Sequence, residues 1–114
     1  MSMDFVALTR ERPDPPAMLA GTTGPRGPLD VRTGPAGVHL HDPDGPLLVS
    51  VETPVLVQVE GEVERLLGVR MTAPVWWVDI RAAVEPKQAV TLATAIGEEL
   101  VRRHGGTLWT GGRQ

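Results

Sequence analysis

His39 and His41 alternate along Val38-His39-Leu40-His41, and Asp42 follows at once. Two imidazoles on one face of a strand, with a carboxylate beside them, could begin a zinc site, which needs three or four such ligands. The chain has no cysteine and only one other histidine, His104, at the end of a predicted helix. A third ligand would therefore have to come from a distant element. A strand that turns Val38 and Leu40 inward and its histidines to water accounts for both imidazoles without a metal. The expectation is no bound metal and no cofactor. A small metal- or ligand-binding enzyme using His39, His41 and Asp42 stands as an alternative.

Other residue sets carry less chemistry. Asp79 and Arg81 follow a tryptophan pair near the end of a predicted strand, where α/β enzymes often place catalytic groups. An acid near a base there is more often an ordinary surface ion pair. Glu60, Glu62 and Glu64 precede a short predicted helix, where acids complement the dipole. The stretch Gly21-Thr22-Thr23-Gly24-Pro25-Arg26-Gly27 is glycine-rich but lacks the Gly-Lys-Ser/Thr ending of a phosphate loop. Ser2 and Ser50 are the only serines, and neither has a Gly-x-Ser-x-Gly setting. The chain is expected not to be an enzyme.

Trp76 and Trp77 are more informative. Neighbours on a strand point to opposite faces. Trp76 goes with Val78 and Ile80, an apolar set expected in the core. Trp77 goes with Val75 and Asp79, a set that ends in a charge. Trp77, Val75 and Asp79 are thus the candidate interaction residues, since tryptophan is enriched at interface hot spots. The alternative is that a loop or helix covers Trp77.

These residues sit in a chain of 114, with net charge -3 and 41% hydrophobic residues. That length is one domain. The acidic balance lacks the basic face that nucleic acid requires. No apolar run approaches the roughly 20 residues of a membrane span, and no signal peptide is apparent at the start. A soluble, cytoplasmic chain is expected, with a protein partner or a homo-oligomer, no nucleic acid and no membrane insertion. Aromatics are only 4%, so valine, leucine, isoleucine and alanine must build the core.

Asp4 to Leu8 reads as an opening strand. Asp14 caps a short helix entered by Pro15 and Pro16, which suit a first turn. Residues 21–37 read as a Gly/Pro-rich loop region, with a short strand allowed at 29–32. Residues 38–41 and 47–51 form a hairpin around Asp42-Pro43-Asp44-Gly45, a turn made by proline, aspartate and glycine preferences. The alternation Leu47, Val49, Val51 runs on to Val55, Val57 and Val59, so the strand is either bent or broken at Pro54. Residues 61–68 predict a short helix, 75–80 a strand, 86–103 the main helix and 107–109 a last strand. In the main helix Ala89, Leu92, Ala93, Ile96 and Leu100 form one apolar stripe. The final strand–helix–strand is long enough for a parallel crossover. The fold class is α+β: a single domain over 1–114 with a mixed, mostly antiparallel sheet, and one long C-terminal helix and two short helices packed on one face.

Three stretches carry a resemblance. They are Gly45-Pro46-Leu47-Leu48-Val49-Ser50-Val51-Glu52-Thr53-Pro54, Gly61-Glu62-Val63-Glu64-Arg65-Leu66-Leu67-Gly68 and Pro74-Val75-Trp76-Trp77-Val78-Asp79-Ile80-Arg81, with Gly105-Gly106-Thr107-Leu108-Trp109 at the end. Together they resemble the N-terminal region of an uncharacterised actinobacterial family of unknown function, often encoded beside type VII secretion genes. Members of that family are longer, with a further C-terminal region. The resemblance implies a non-enzymatic interaction or accessory module, associated with a type VII secretion locus. A small immunity- or antitoxin-like protein is the alternative that size and acidity fit as well.

Overall fold

Ser2–Thr9 forms β1, and its side chains are buried on both sides: Phe5 and Ala7 one way, Val6 and Leu8 the other. Such a two-sided apolar strand belongs in the middle of a layered sheet. The computed structural model, which describes residues 2–24 and 27–111, places it there. The remaining elements are α1 (Pro15–Leu19), β2 (Thr23–Gly24), β3 (Gly27–Pro28), β4 (Asp30–Gly34), β5 (Gly37–His41), β6 (Leu47–Glu52), β7 (Val55–Val57), α2 (Glu62–Leu67), β8 (Val75–Ala83), α3 (Lys87–His104) and β9 (Gly106–Thr110). The main sheet runs β4-β5-β6-β8-β1-β9, with β7 pairing β8 beyond the end of β6.

The fold is α+β, with the expected long C-terminal helix and two short ones. Every ladder among the described residues is antiparallel. The expected parallel crossover takes a modified form. β8 and β9 run the same way and α3 joins them, but β1 lies between them, antiparallel to both. This is a split β-α-β arrangement.

The packing of all helices on one face needs correction. α3 and α1 share a face, where Ala89, Ala93, Ile96, Leu100 and Leu19 meet Phe5, Val49, Val51, Val78 and Ile80. α2 lies on the other face, because Val63 joins Val6, Leu8 and Val75 there. The sheet buries apolar side chains at this end of both faces, so one layer of helices cannot cover it. The loop expected over 21–37 is also more ordered than its Gly/Pro content implied. β4 pairs with β5 through the Pro35-Ala36 turn, and β2 pairs with β3. Pro28 lies in a two-stranded piece, where a missing N–H is tolerated.

The strand question at Pro54 resolves as a break: β6 ends at Glu52 and β7 begins at Val55. Val51 pairs with Ile80 and Val55 with Trp77, so Glu52, Thr53 and Pro54 span what Val78 and Asp79 span on β8. An extra residue exchanges the faces of everything after it. Val51 is therefore buried under α3, while Val55 is 59% exposed on the opposite face.

α1 begins as its sequence indicates: the Asp14 carboxylate accepts from the Ala17 N–H at 3.4 Å, with prolines filling the first turn. α3 carries Arg102, Arg103 and His104 in its last turn, where the dipole favours cations. It ends at Gly105, whose φ of 71° is left-handed and whose N–H donates to the Val101 carbonyl at 2.8 Å. Leu92, expected in the stripe, is only partly buried. Among the described residues no helix is long and apolar enough to cross a membrane.

Candidate functional site

β8 presents Val75, Trp77, Asp79 and Arg81 to the face that α2 shares. α2 covers only the first part of this row. Val75 is fully buried beneath it, and Trp77 is half-buried beside Val57, Leu67, Val69, Met71 and Trp109. Arg10 at the end of β1 holds the segment after α2 in place, its guanidinium donating to the carbonyls of Thr72 and Pro74. Beyond Leu67 the face is open and polar.

The strand register defines this open part. Arg32, His39, Ser50, Arg81 and Asp4 are successive cross-strand partners on β4, β5, β6, β8 and β1. Asp79 sits opposite Val6, and Val6 opposite Trp109. Arg81 Nε donates to Asp4 Oδ1 at 3.0 Å. Glu52, at the end of β6, and Asp79 line the same hollow, and the Asp79 charge raises the Glu52 carboxyl. The result is a hollow of about 280 Å³ with Trp77, Trp109 and Leu67 as walls and Glu52, Asp79 and the Arg81–Asp4 pair on its rim.

The charge on this rim is uneven. Desolvation by burial, then the hydrogen bond and charge of Asp79, push the Glu52 carboxyl above its ordinary range, while Arg81 pulls it down. A raised folded-state value means that protonated Glu52 is the form the fold favours. Its stabilising contribution is present below the ordinary glutamate range and is lost as pH rises through the raised value. At neutral pH the desolvation of Glu52 and, after it, the charge of Asp79 therefore oppose folding, weakly, because both groups are exposed. Asp79→Asn should leave stability at pH 7 unchanged or slightly higher, and should reduce the loss that sets in as pH rises above the ordinary glutamate range. Urea melts of both proteins across that rise in pH check this. A clear loss for Asp79→Asn at pH 7 would contradict the repulsion.

The predicted residues are thus only partly brought together. Asp79 is exposed at the rim and Trp77 lines the hollow, but Val75 supports the face from below and touches nothing outside. The core expectation for Trp76 also needs correction. Trp76 is half-buried, with the Arg12 guanidinium carbon 5.4 Å from its ring centroid. It joins neither buried cluster, and Arg12 lies over it. Trp77 packs against the cluster that α2 joins.

His39 is exposed and His41 half-buried on β5, and Asp42 is buried at the turn, where its carbonyl accepts from Gly45 at 2.8 Å. Among the described residues no three histidine or acidic side chains gather as a metal-binding group. Glu52, Asp4 and Trp109 are the site residues that sequence reasoning missed. Each sits in a strand, and the signal is a charge or indole at an otherwise apolar strand position. Using that signal requires the strand order. A larger hollow, about 360 Å³, lies between α1 and the bend at Pro54, and half of its lining is proline or glycine. It offers fewer groups with which to read a ligand.

Comparison with protein-family models, curated proteins and solved structures finds no match to this chain. The chemistry of the open face therefore rests on its own residues.

Proposed function

We propose that this chain is a non-enzymatic interaction module that meets a protein partner through the open half of its α2-side sheet face. One observation carries the reading: α2 stops short, leaving a hollow with two tryptophans in its walls and charges on its rim. Apolar centres with polar rims are the usual anatomy of protein interfaces. Val55, directly opposite Trp77 and 59% exposed, extends the apolar surface beside it. The family resemblance supports an accessory role at a type VII secretion locus, and the absence of cysteine fits the cytoplasm.

Affinity capture from the source cells tests the reading, using the wild type, Asp79→Lys, Arg81→Glu and a control, Glu98→Lys, on an exposed position of α3. One protein should be retained by the wild type and control and lost with both face variants. Equal retention by all four would sink it. A secretion component as the retained protein supports the accessory role. A toxin would favour the immunity-like alternative.

A further inference from the structure

The rim of the hollow carries three carboxylates, Asp4, Glu52 and Asp79, against one guanidinium, Arg81. Arg81 is already committed to Asp4 at 3.0 Å. Its charge also reaches Glu52 and Asp79, so one guanidinium serves three carboxylates, and the remaining negative charge favours a second cation beside the pair. The walls beside the pair are indoles. A cation held over an indole face gains from the ring quadrupole, and arginine does this most often. The chain uses the same contact elsewhere: Arg12 lies over Trp76. Among the described residues that is the only such stack, so Trp77 and Trp109 have none.

Size narrows the occupant. At about 280 Å³ the hollow falls just below the roughly 300–1,000 Å³ of sites that take drug-sized ligands. It suits one side chain better than a cofactor. A planar guanidinium can stack on an indole and fork to two carboxylates at once, which an ammonium cannot.

We propose that the hollow between Trp77, Trp109 and the Glu52–Asp79 pair seats a single arginine side chain presented by a protein partner. This rests on the interaction reading above and specifies what the partner must offer. Arg81, held by Asp4, stands on the rim and bounds the seat on that side. The carboxylates supply the charge, and the indoles supply the faces.

The test titrates the full chain with a capped Gly-Gly-Arg-Gly-Gly peptide, following the tryptophan indole N–H signals by NMR. The same peptide with citrulline, which keeps the shape and removes the charge, and with lysine serve as comparisons. Free arginine is the fourth probe. Saturable shifts are expected at Trp77 and Trp109 but not at Trp76. Citrulline should bind at least about tenfold more weakly, and lysine should fall between. Glu52→Gln with Asp79→Asn should weaken the arginine peptide by about tenfold while the melt shows the fold retained. Equal binding of citrulline, shifts at Trp76 instead, or no shift at about 10 mM peptide would each overturn the seat. Free arginine binding as tightly as the peptide would overturn the partner assignment in favour of a free metabolite. The two readings fail separately. Capture lost with Asp79→Lys but no peptide binding leaves the interface and removes the arginine. Peptide binding with capture unchanged does the reverse.

Discussion

Leu100→Ala should destabilise the protein by about 2–5 kcal/mol, the cost of emptying a well-packed leucine site. Leu100 is fully buried, in the cluster that joins α3 to the sheet. It belongs to the α3 row that includes Ala89, Ala93 and Ile96. Two of those partners are alanines, so the helix sits close to the strands and leucine supplies much of the local volume. Close neighbours with short side chains have little freedom to collapse into the gap. Denaturant melts of the variant beside the wild type measure the effect. A loss of only a few tenths would mean that α3 is not the main cover of this face. Leu92→Ala, at a partly buried position, should cost clearly less.

Gly106→Ala should be at least as damaging, for a different reason. Gly106 has φ of 135°, in the region that side-chain-bearing residues rarely adopt. A Cβ there would overlap the carbonyl oxygen of Leu8, which is backbone and cannot rotate away. Gly106 opens β9 opposite Thr9, so the clash falls where β9 joins the sheet. The loss should exceed the roughly 1–3 kcal/mol of ordinary overpacking. Gly97→Ala on α3 is the matched comparison, because its Cβ would meet only the end of the Leu108 side chain. Its gain in helix propensity, roughly 1 kcal/mol, should offset most of that crowding. Amide exchange at β9 should accelerate in the first variant and not in the second. Equal melts for the two would show that β9 can shift to admit the methyl.

The elements legible in the sequence are those with a strong local pattern. The helix read at 86–103 is α3 at Lys87–His104, because a five-residue stripe, a proline before it and a glycine after it all agree. The Asp42–Gly45 turn closes through the Gly45 N–H on the Asp42 carbonyl, and the cap at Asp14 through its carboxylate on the Ala17 N–H. What remained hidden depends on neighbours distant in sequence. Asp79 marks its face as partly open in the sequence, but not where the cover stops. That face is divided along its length, and α2 ends between Trp77 and Asp79. The break after Glu52 is hidden because an unbroken alternation through Pro54 looks the same whether or not one residue is extra. The charged pair of the hollow consists of Asp79 and Glu52, the residue that follows the Val51–Ile80 pairing on β6.

The position of β1 carries a consequence for how the chain acquires its shape. β1 lies between β8 and β9, and its ion pair with Arg81 joins residues 77 positions apart. It precedes both strands that flank it, so nothing local can hold it in place. The sheet cannot close until residues 75–110 have arrived, and long-range antiparallel pairing of this kind is a slow route. Meanwhile a two-sided apolar strand, Phe5-Val6-Ala7-Leu8, waits without partners. This is the segment with the most to gain from a holding chaperone and the most exposed to wrong pairing in a crowded cell.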